Sequence, residues 1–347
     1  MSKPKVLVLA AGGTISTSKA AGEGYFVPSK SGEDLVQSVP GLADLAEFRV
    51  ENFSRVLSSQ LSMEQVYGIA RRVRAALAED PELAGVVVTH GTGAMEETSF
   101  MTDLMVDDPR PVVFTGAMRG GSDPFSDGPY NLWCAVRVAI SREARGLGTL
   151  VVMNSLIHPA RDVFKSHTTN VDTFHSGEFG PLGFVYPDRI HVARRPAIRT
   201  PLYTETPVFD VDLIKYVVGM DDRYVRASVD AGAAAIVVEG SGLGNVNERV
   251  AQALGDAVRR GVVVAVCSRS PFGRTFPMYG TRASAKALVD QGCLLSSLSG
   301  PKTRILLMLA LGTTRDPARL QALLDANGQP LDDHAPRRDA HGRPEEG

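Results

Sequence analysis

The chain has 347 residues, 44% of them apolar and 22% charged, with 37 Lys plus Arg against 39 Asp plus Glu. That length allows one large domain or two ordinary ones with real cores, and the composition is that of a globular protein. A net charge of −2 without a basic stripe argues against a nucleic-acid partner, and no apolar run approaches a membrane span, so no membrane partner is expected.

The amino-terminal stretch MSKPKVLVLAAGG has too short an apolar part for a signal peptide. It reads instead as a first strand, KVLVLA at 5–10, continuous and apolar as a parallel strand covered on both faces is, and the protein is expected in the cytoplasm. Segment 62–80 repeats Val66, Ile69, Val73 and Leu77 on one helical face and opens on Ser62 and Gln65, a capping box. Strands are predicted at 85–90, 111–116 and 148–154, and helices near 94–105 and 127–144.

Past residue 154 the pattern loosens into an irregular or hairpin stretch, and 191–210, with three prolines and no helical period, reads as a linker. Alternation resumes with helix 221–230, strand 233–240, helix 247–259, strand 262–266 and helices near 283–290, 301–311 and 316–325. Residues 329–347 are polar and Pro-rich, the composition of a disordered tail. The expected fold class is α/β in two domains: a larger parallel-sheet domain over 1–190, the linker, and a smaller α/β domain over 211–328.

Ligands of open parallel sheets bind beyond the carboxyl ends of the strands. Gly12, Gly13 and Thr14 follow the first strand, His90 to Glu96 follow the strand 85–90, and Gly116 to Arg119 follow the strand 111–116; these should converge. AAGGTIS (10–16) lacks the third glycine of a dinucleotide fingerprint and the Gly-Lys-Ser/Thr end of a phosphate loop, so no cofactor is expected. THGTGAMEET (89–98) brings a second hydroxyl, Thr92, between Gly91 and Gly93. A threonine hydroxyl is a weak nucleophile that needs a base. Lys165, in ARDVFKSHTTN (160–170), becomes one if burial strips its proton. The competing readings are a turn threonine and a solvated lysine.

Cys134, Cys267 and Cys293 are odd in number, without metal-like spacing, and read as buried free thiols. Seven scattered histidines give no metal motif; His90 and His167 read as structural hydrogen-bond partners. No G-x-S-x-G occurs, which argues against a serine hydrolase of that type.

Six ordered blocks resemble the bacterial-type L-asparaginase family of threonine-nucleophile amidohydrolases, from the first strand to about residue 325: GGTI (12–15), THGT-x-x-MEET (89–98), GAMR with SDGPYNL (116–119, 126–132), RDVxKxHTTNVDTF (161–174), GPLGFV (180–185) and GxGxGN (240–245). The resemblance implies a two-domain α/β fold assembled as a homodimer or homotetramer, acting on a small-molecule amide. By position, Thr14 resembles the acylated nucleophile, Tyr25 the lid tyrosine that orients it, and Thr92 with Lys165 the second hydroxyl and its base. Ser59 and Gln60 resemble the residues that hold a substrate α-carboxylate. Gly91 and Ala117 fall where backbone N–H groups line an oxyanion site, and Asn245 resembles a residue that reaches the site from a neighbouring subunit.

The chain departs from the family at Gly93, where an Asp usually follows the signature threonine, and no Asp or Glu occurs from Cys267 to Val289, where a partner subunit's acid would fall. An ammonium held without a counter-charge costs several kcal/mol in desolvation. Free L-asparagine is therefore expected to bind less well than an amide lacking a free α-ammonium, unless another acid such as Glu96 takes the place. Lys165, relieved of an acidic neighbour, is expected to have a lowered pKa. Two rival readings are a non-catalytic paralogue that binds a small carboxylate and an ammonia-donating amidotransferase subunit.

Overall fold

The run KVLVLA forms β1 (Lys5–Ala10) in the computed structural model, which describes residues 2–19, 26–197 and 199–328. Tyr25 and the expected tail 329–347 lie outside the described residues. Successive residues of a strand face opposite ways, and both faces of β1 are covered: Val6 and Val8 join one apolar cluster, Leu7 and Leu9 another. Such double coverage explains why the strand reads as an unbroken apolar run.

β1 pairs in parallel with β2 (Glu47–Asn52) and β3 (Leu83–Thr89). Parallel pairing continues through β4 (Val112–Thr115) and β5 (Thr149–Met153). The expected parallel sheet is there in these five strands, and past residue 154, where the pattern loosens, the sheet becomes mixed. β6 (Leu156–Pro159), β7 (Gly183–Val185) and β8 (Ile190–Val192) extend it antiparallel, giving the order β8-β7-β6-β5-β4-β3-β1-β2. The physical reason is the tight turn at Asn154 and Ser155, both at positive φ, which folds β6 directly back on β5 without a crossover helix. The segment expected to be a linker from 191 thus begins within β8.

The helix Met63–Glu79 opens on the expected capping box of Ser62 and Gln65. Helix Met95–Met105 follows β3, and helix Gly128–Ala139 follows β4. The last was expected to run to 144. It stops at Ala139 because the chain must turn back toward β5, through Gly146 and Gly148 at φ of 74° and 77°.

The described residues divide into two units, one ending at Tyr203 and the other beginning at Thr204. The second carries an all-parallel sheet of β9 (Val211–Lys215), β10 (Ala235–Gly240), β11 (Val263–Ser268) and β12 (Leu294–Leu295) in that order. Helices Arg223–Asp230, Glu248–Arg259, Ala285–Asp290, Gly300–Ala310 and Pro317–Asn327 accompany it. Cys134 in the first unit, and Cys267 and Cys293 in the second, are buried free thiols. No helix among the described residues is long and apolar enough to cross a membrane.

Candidate active site

At the carboxyl end of β1 the chain enters a turn in which Gly12 and Gly13 take φ of 82° and 86°, a region that favours glycine. A Cβ on Gly13 would lie 2.3 Å from both Cα and N of Gly91, so only glycine lets the turn after β1 touch the turn after β3. Gly13 N–H donates to Val56 O at 3.1 Å, tying the same turn to the loop after β2. Thr14 begins a short 3-10 turn, Thr14–Ser16, with its own carbonyl accepting from Thr17 Oγ1 at 2.8 Å. Thr14 itself is half-buried.

Thr92 is buried, 5% exposed, and its Oγ1 accepts a 2.8 Å hydrogen bond from Lys165 Nζ. Lys165 comes from a short hairpin of Phe164–Lys165 and Phe174–His175. Burial alone lowers its pKa from the ordinary 10.5. The direction is the one expected from the sequence, but the cause is desolvation of the ammonium rather than a lost acid. Glu96 does not take the vacant acidic place beside Nζ; its Oε2 accepts from the Lys165 backbone N–H at 2.8 Å. The amine nearest the second hydroxyl is therefore biased toward the neutral form that accepts a proton.

The loop after β4 closes the other side. A Cβ on Gly116 would meet His90 O at 2.5 Å and Thr92 Cγ2 at 3.4 Å, and Ala117 is fully buried. Asp127 holds this loop through hydrogen bonds from Met118 N and Arg119 N, and Asn131 Nδ2 donates to Gly116 O. His90, fully buried, donates from Nδ1 to Gly91 O at 2.8 Å, and burial lowers its pKa to about 4. It is a neutral structural partner. His167 also serves a structural role, its Nδ1 accepting from Thr169 N and Asn170 N.

The structure thus brings Thr14, Gly91, Thr92, Gly93, Ala117 and Lys165 into one neighbourhood through backbone contacts and the Lys165–Thr92 bond. Ser59 and Gln60 are exposed residues of the 3-10 turn Ser58–Gln60. Sequence reasoning missed the residue before them. Ser58 is buried; a Cβ on Gly91 would stand 2.6 Å from its Oγ, one on Gly93 would stand 3.2 Å from it, and the same Oγ accepts from Ala94 N at 3.2 Å. Its signal is its place after β2, on the same edge as the other turns. Gly93 is exposed, and among the described residues Ser58 Oγ is the one atom within 4 Å that a Cβ there would meet. Asn245 belongs to the second unit, where its Oδ1 accepts from Ala285 N at 3.1 Å.

Such an arrangement can polarise a hydroxyl and take up its proton beside close-packed backbone N–H groups, which is the equipment of acyl transfer. Comparison with known proteins points the same way. The family model "Asparaginase, N-terminal" matches residues 5–198, and "Glutaminase/Asparaginase C-terminal domain" matches 210–324. The chain is 35% identical over 333 residues to "L-asparaginase 2" of Escherichia coli (strain K12), covering 93% of each chain. It is 37% identical over 331 residues to "L-asparaginase 2" of Bacillus subtilis (strain 168), covering 92% of this chain and 85% of that one. To "Glutaminase-asparaginase" of Pseudomonas fluorescens biotype A it is 34% identical over 330 residues, covering 92% and 89%.

Proposed function

The chain belongs to the asparaginase family, and from that premise we propose that it hydrolyses a small carboxamide through an acyl-enzyme on Thr14. It is an amidohydrolase by that membership; the observation that carries the assignment of roles is the 2.8 Å bond between Lys165 Nζ and Thr92 Oγ1, at the end of a strand whose turn touches the one bearing Thr14.

In this reading Thr14 Oγ adds to the amide carbon as its proton passes to the Lys165–Thr92 pair. Backbone N–H groups beside Thr92 and Ala117 receive the developing oxyanion, a contribution typically about 3 kcal/mol per donor. The C–N bond then breaks, the pair returns the proton to the leaving nitrogen, and ammonia departs. Water attacks the Thr14 ester, the acid leaves, and the Thr14 hydroxyl is restored. Tyr25 orients Thr14, Ser59 and Gln60 hold the substrate carboxylate, and Asn245 contributes from a second copy in a homodimer or homotetramer.

The substrate is L-asparagine, yielding L-aspartate, or an amide without a free α-ammonium; the lack of a carboxylate at Gly93 and the engagement of Glu96 with the Lys165 backbone favour the latter. A cytoplasmic location is part of the same reading, supported by three buried free thiols. A relative 35% identical to this chain bears the name "Probable L-asparaginase periplasmic" in Haemophilus influenzae, so cell fractionation decides the point.

The test is ammonia release from L- and D-asparagine, L-glutamine, succinamic acid and N-acetyl-asparagine, with Thr14→Ala as control. Turnover that survives Thr14→Ala refutes the proposed nucleophile. One observation favours a second assignment within the same reaction: Lys165 bonds Thr92 directly, the geometry of a base on its own nucleophile. Peptide mapping of a trapped acyl adduct distinguishes the two threonines.

A further inference from the structure

The outer face of the helix Met63–Glu79 borders a groove of about 530 Å³ that the reaction described above does not use. That volume lies within the usual range for small-ligand sites. Its floor is apolar, made by Phe53, Ala75 and Ala78. Gly68 is what lets the Phe53 ring lie against the helix, since a Cβ there would stand 3.1 Å from Phe53 Cζ.

Three arginines edge this floor, and they differ in how their charge is met. Arg72 is neutralised: its Nε bonds Glu51 at 2.6 Å and its NH2 bonds Glu79 at 2.9 Å. Arg71 and Arg74, three residues apart on one helical face, are exposed and have no ion pair among the described residues. Aromatic faces hold both guanidiniums instead. Arg74 lies 3.5 Å from the centroid of the Tyr203 ring, and Arg71 lies 5.8 Å from that of Tyr67. A guanidinium stacked on a ring keeps its in-plane N–H edge free and pre-oriented for a bidentate oxyanion. Arg74 is so placed, and Arg71, farther from its ring, lines the same groove beside the apolar Phe53, Ala75 and Ala78.

We infer that this groove is a binding site for a small amphiphilic carboxylate, its head on Arg71 and Arg74 and its apolar body on Phe53, Ala75 and Ala78. The apolar floor gives a simple inorganic anion nothing to bury, and the two uncompensated cations make a neutral apolar molecule a poor match. The site is independent of the amide chemistry, so neither reading depends on the other.

Isothermal titration with 4-phenylbutyrate and octanoate, against 4-phenylbutan-1-ol and inorganic phosphate, tests the assignment on the full chain. One carboxylate per chain is expected, with the alcohol and phosphate at least tenfold weaker. Arg74→Gln should weaken carboxylate binding at least tenfold by removing the head contact. Ala78→Phe should do the same by filling the floor while leaving both charges. Both positions are exposed, and unchanged melting temperatures exclude misfolding as the cause. No saturable carboxylate binding at millimolar concentration overturns the proposal, as does equal binding of acid and alcohol. Wild-type affinity in both variants would place the ligand elsewhere and also overturn it.

Discussion

Gly13 and Gly91 meet backbone to backbone, close enough that a methyl group on the first would overlap the main chain of the second. This contact joins the turns that carry Thr14 and Thr92, and it can be broken by one atom. Gly13→Ala faces both a positive φ of 86° and a 2.3 Å clash with atoms that cannot rotate away. The expected cost is about 3 kcal/mol or more, from backbone strain and overpacking together, with activity lost. Gly41→Ala provides the comparison: φ is 74° but no described residue lies within 4 Å, so strain alone should cost about 1 kcal/mol. Urea denaturation of the two variants measures the difference, and equal losses would show that the contact is not tight.

Thr92 and Lys165 should behave as one device. Lys165→Met and Thr92→Val are each expected to lower kcat about a thousandfold, within the range for a lost general base. The double variant should be no worse than the weaker single one, because groups that act as a unit are not additive. Losses that multiply would mean that the 2.8 Å bond is structural and that the two residues act separately.

The lowered pKa of Lys165 sets the sign of two pH effects. Activity should rise with pH as the neutral amine accumulates, with a midpoint below the 10.5 of free lysine, and Lys165→Arg, which cannot lose its proton, should abolish the rise. Stability follows the same direction: between the folded and unfolded pKa values only the unfolded chain keeps the proton, so stability increases with pH there. His90 and His158, both held by burial at about 4, give the acid limb. Below about pH 6.5 the unfolded chain binds protons that the folded one refuses, so stability falls toward pH 4, by on the order of 3 kcal/mol per histidine. Denaturation curves at pH 7.5 and 4.5 check this, and His158→Gln should remove part of the difference.

Gly93→Asp should shift substrate preference. Among the described residues its Cβ would meet only Ser58 Oγ, at 3.2 Å, a contact that a small rotation of the serine relieves. The added carboxylate should raise kcat/KM for L-asparagine at least tenfold relative to succinamic acid, by pairing with the α-ammonium. An unchanged ratio would show that the amine lies away from this position.

The sequence made β1 and the helix Met63–Glu79 legible because one is an unbroken apolar run and the other has a helical stripe with its cap. It hid β2, whose EFRVEN carries charged residues and whose burial is partial, because that strand lies at the edge of its sheet. With β2 concealed, nothing in the sequence marks Ser58 as lying beyond a strand end, where active residues of such sheets sit. The meeting of Gly13 with Gly91 was beyond local pattern altogether, since it depends on how strands far apart in sequence become neighbours. Conversely, the pairing of Lys165 with Thr92 was expected from resemblance, and no periodicity pointed to it.

The three buried thiols form a built-in clock for unfolding. Burial pushes Cys134 up to about 11, Cys293 up to about 12 and Cys267 higher still, so alkylating reagents at neutral pH should find them only when the surrounding chain opens. One cysteine belongs to the first unit and two to the second. The order in which their peptides acquire label would therefore record which half of the protein lets go first, without any engineered probe.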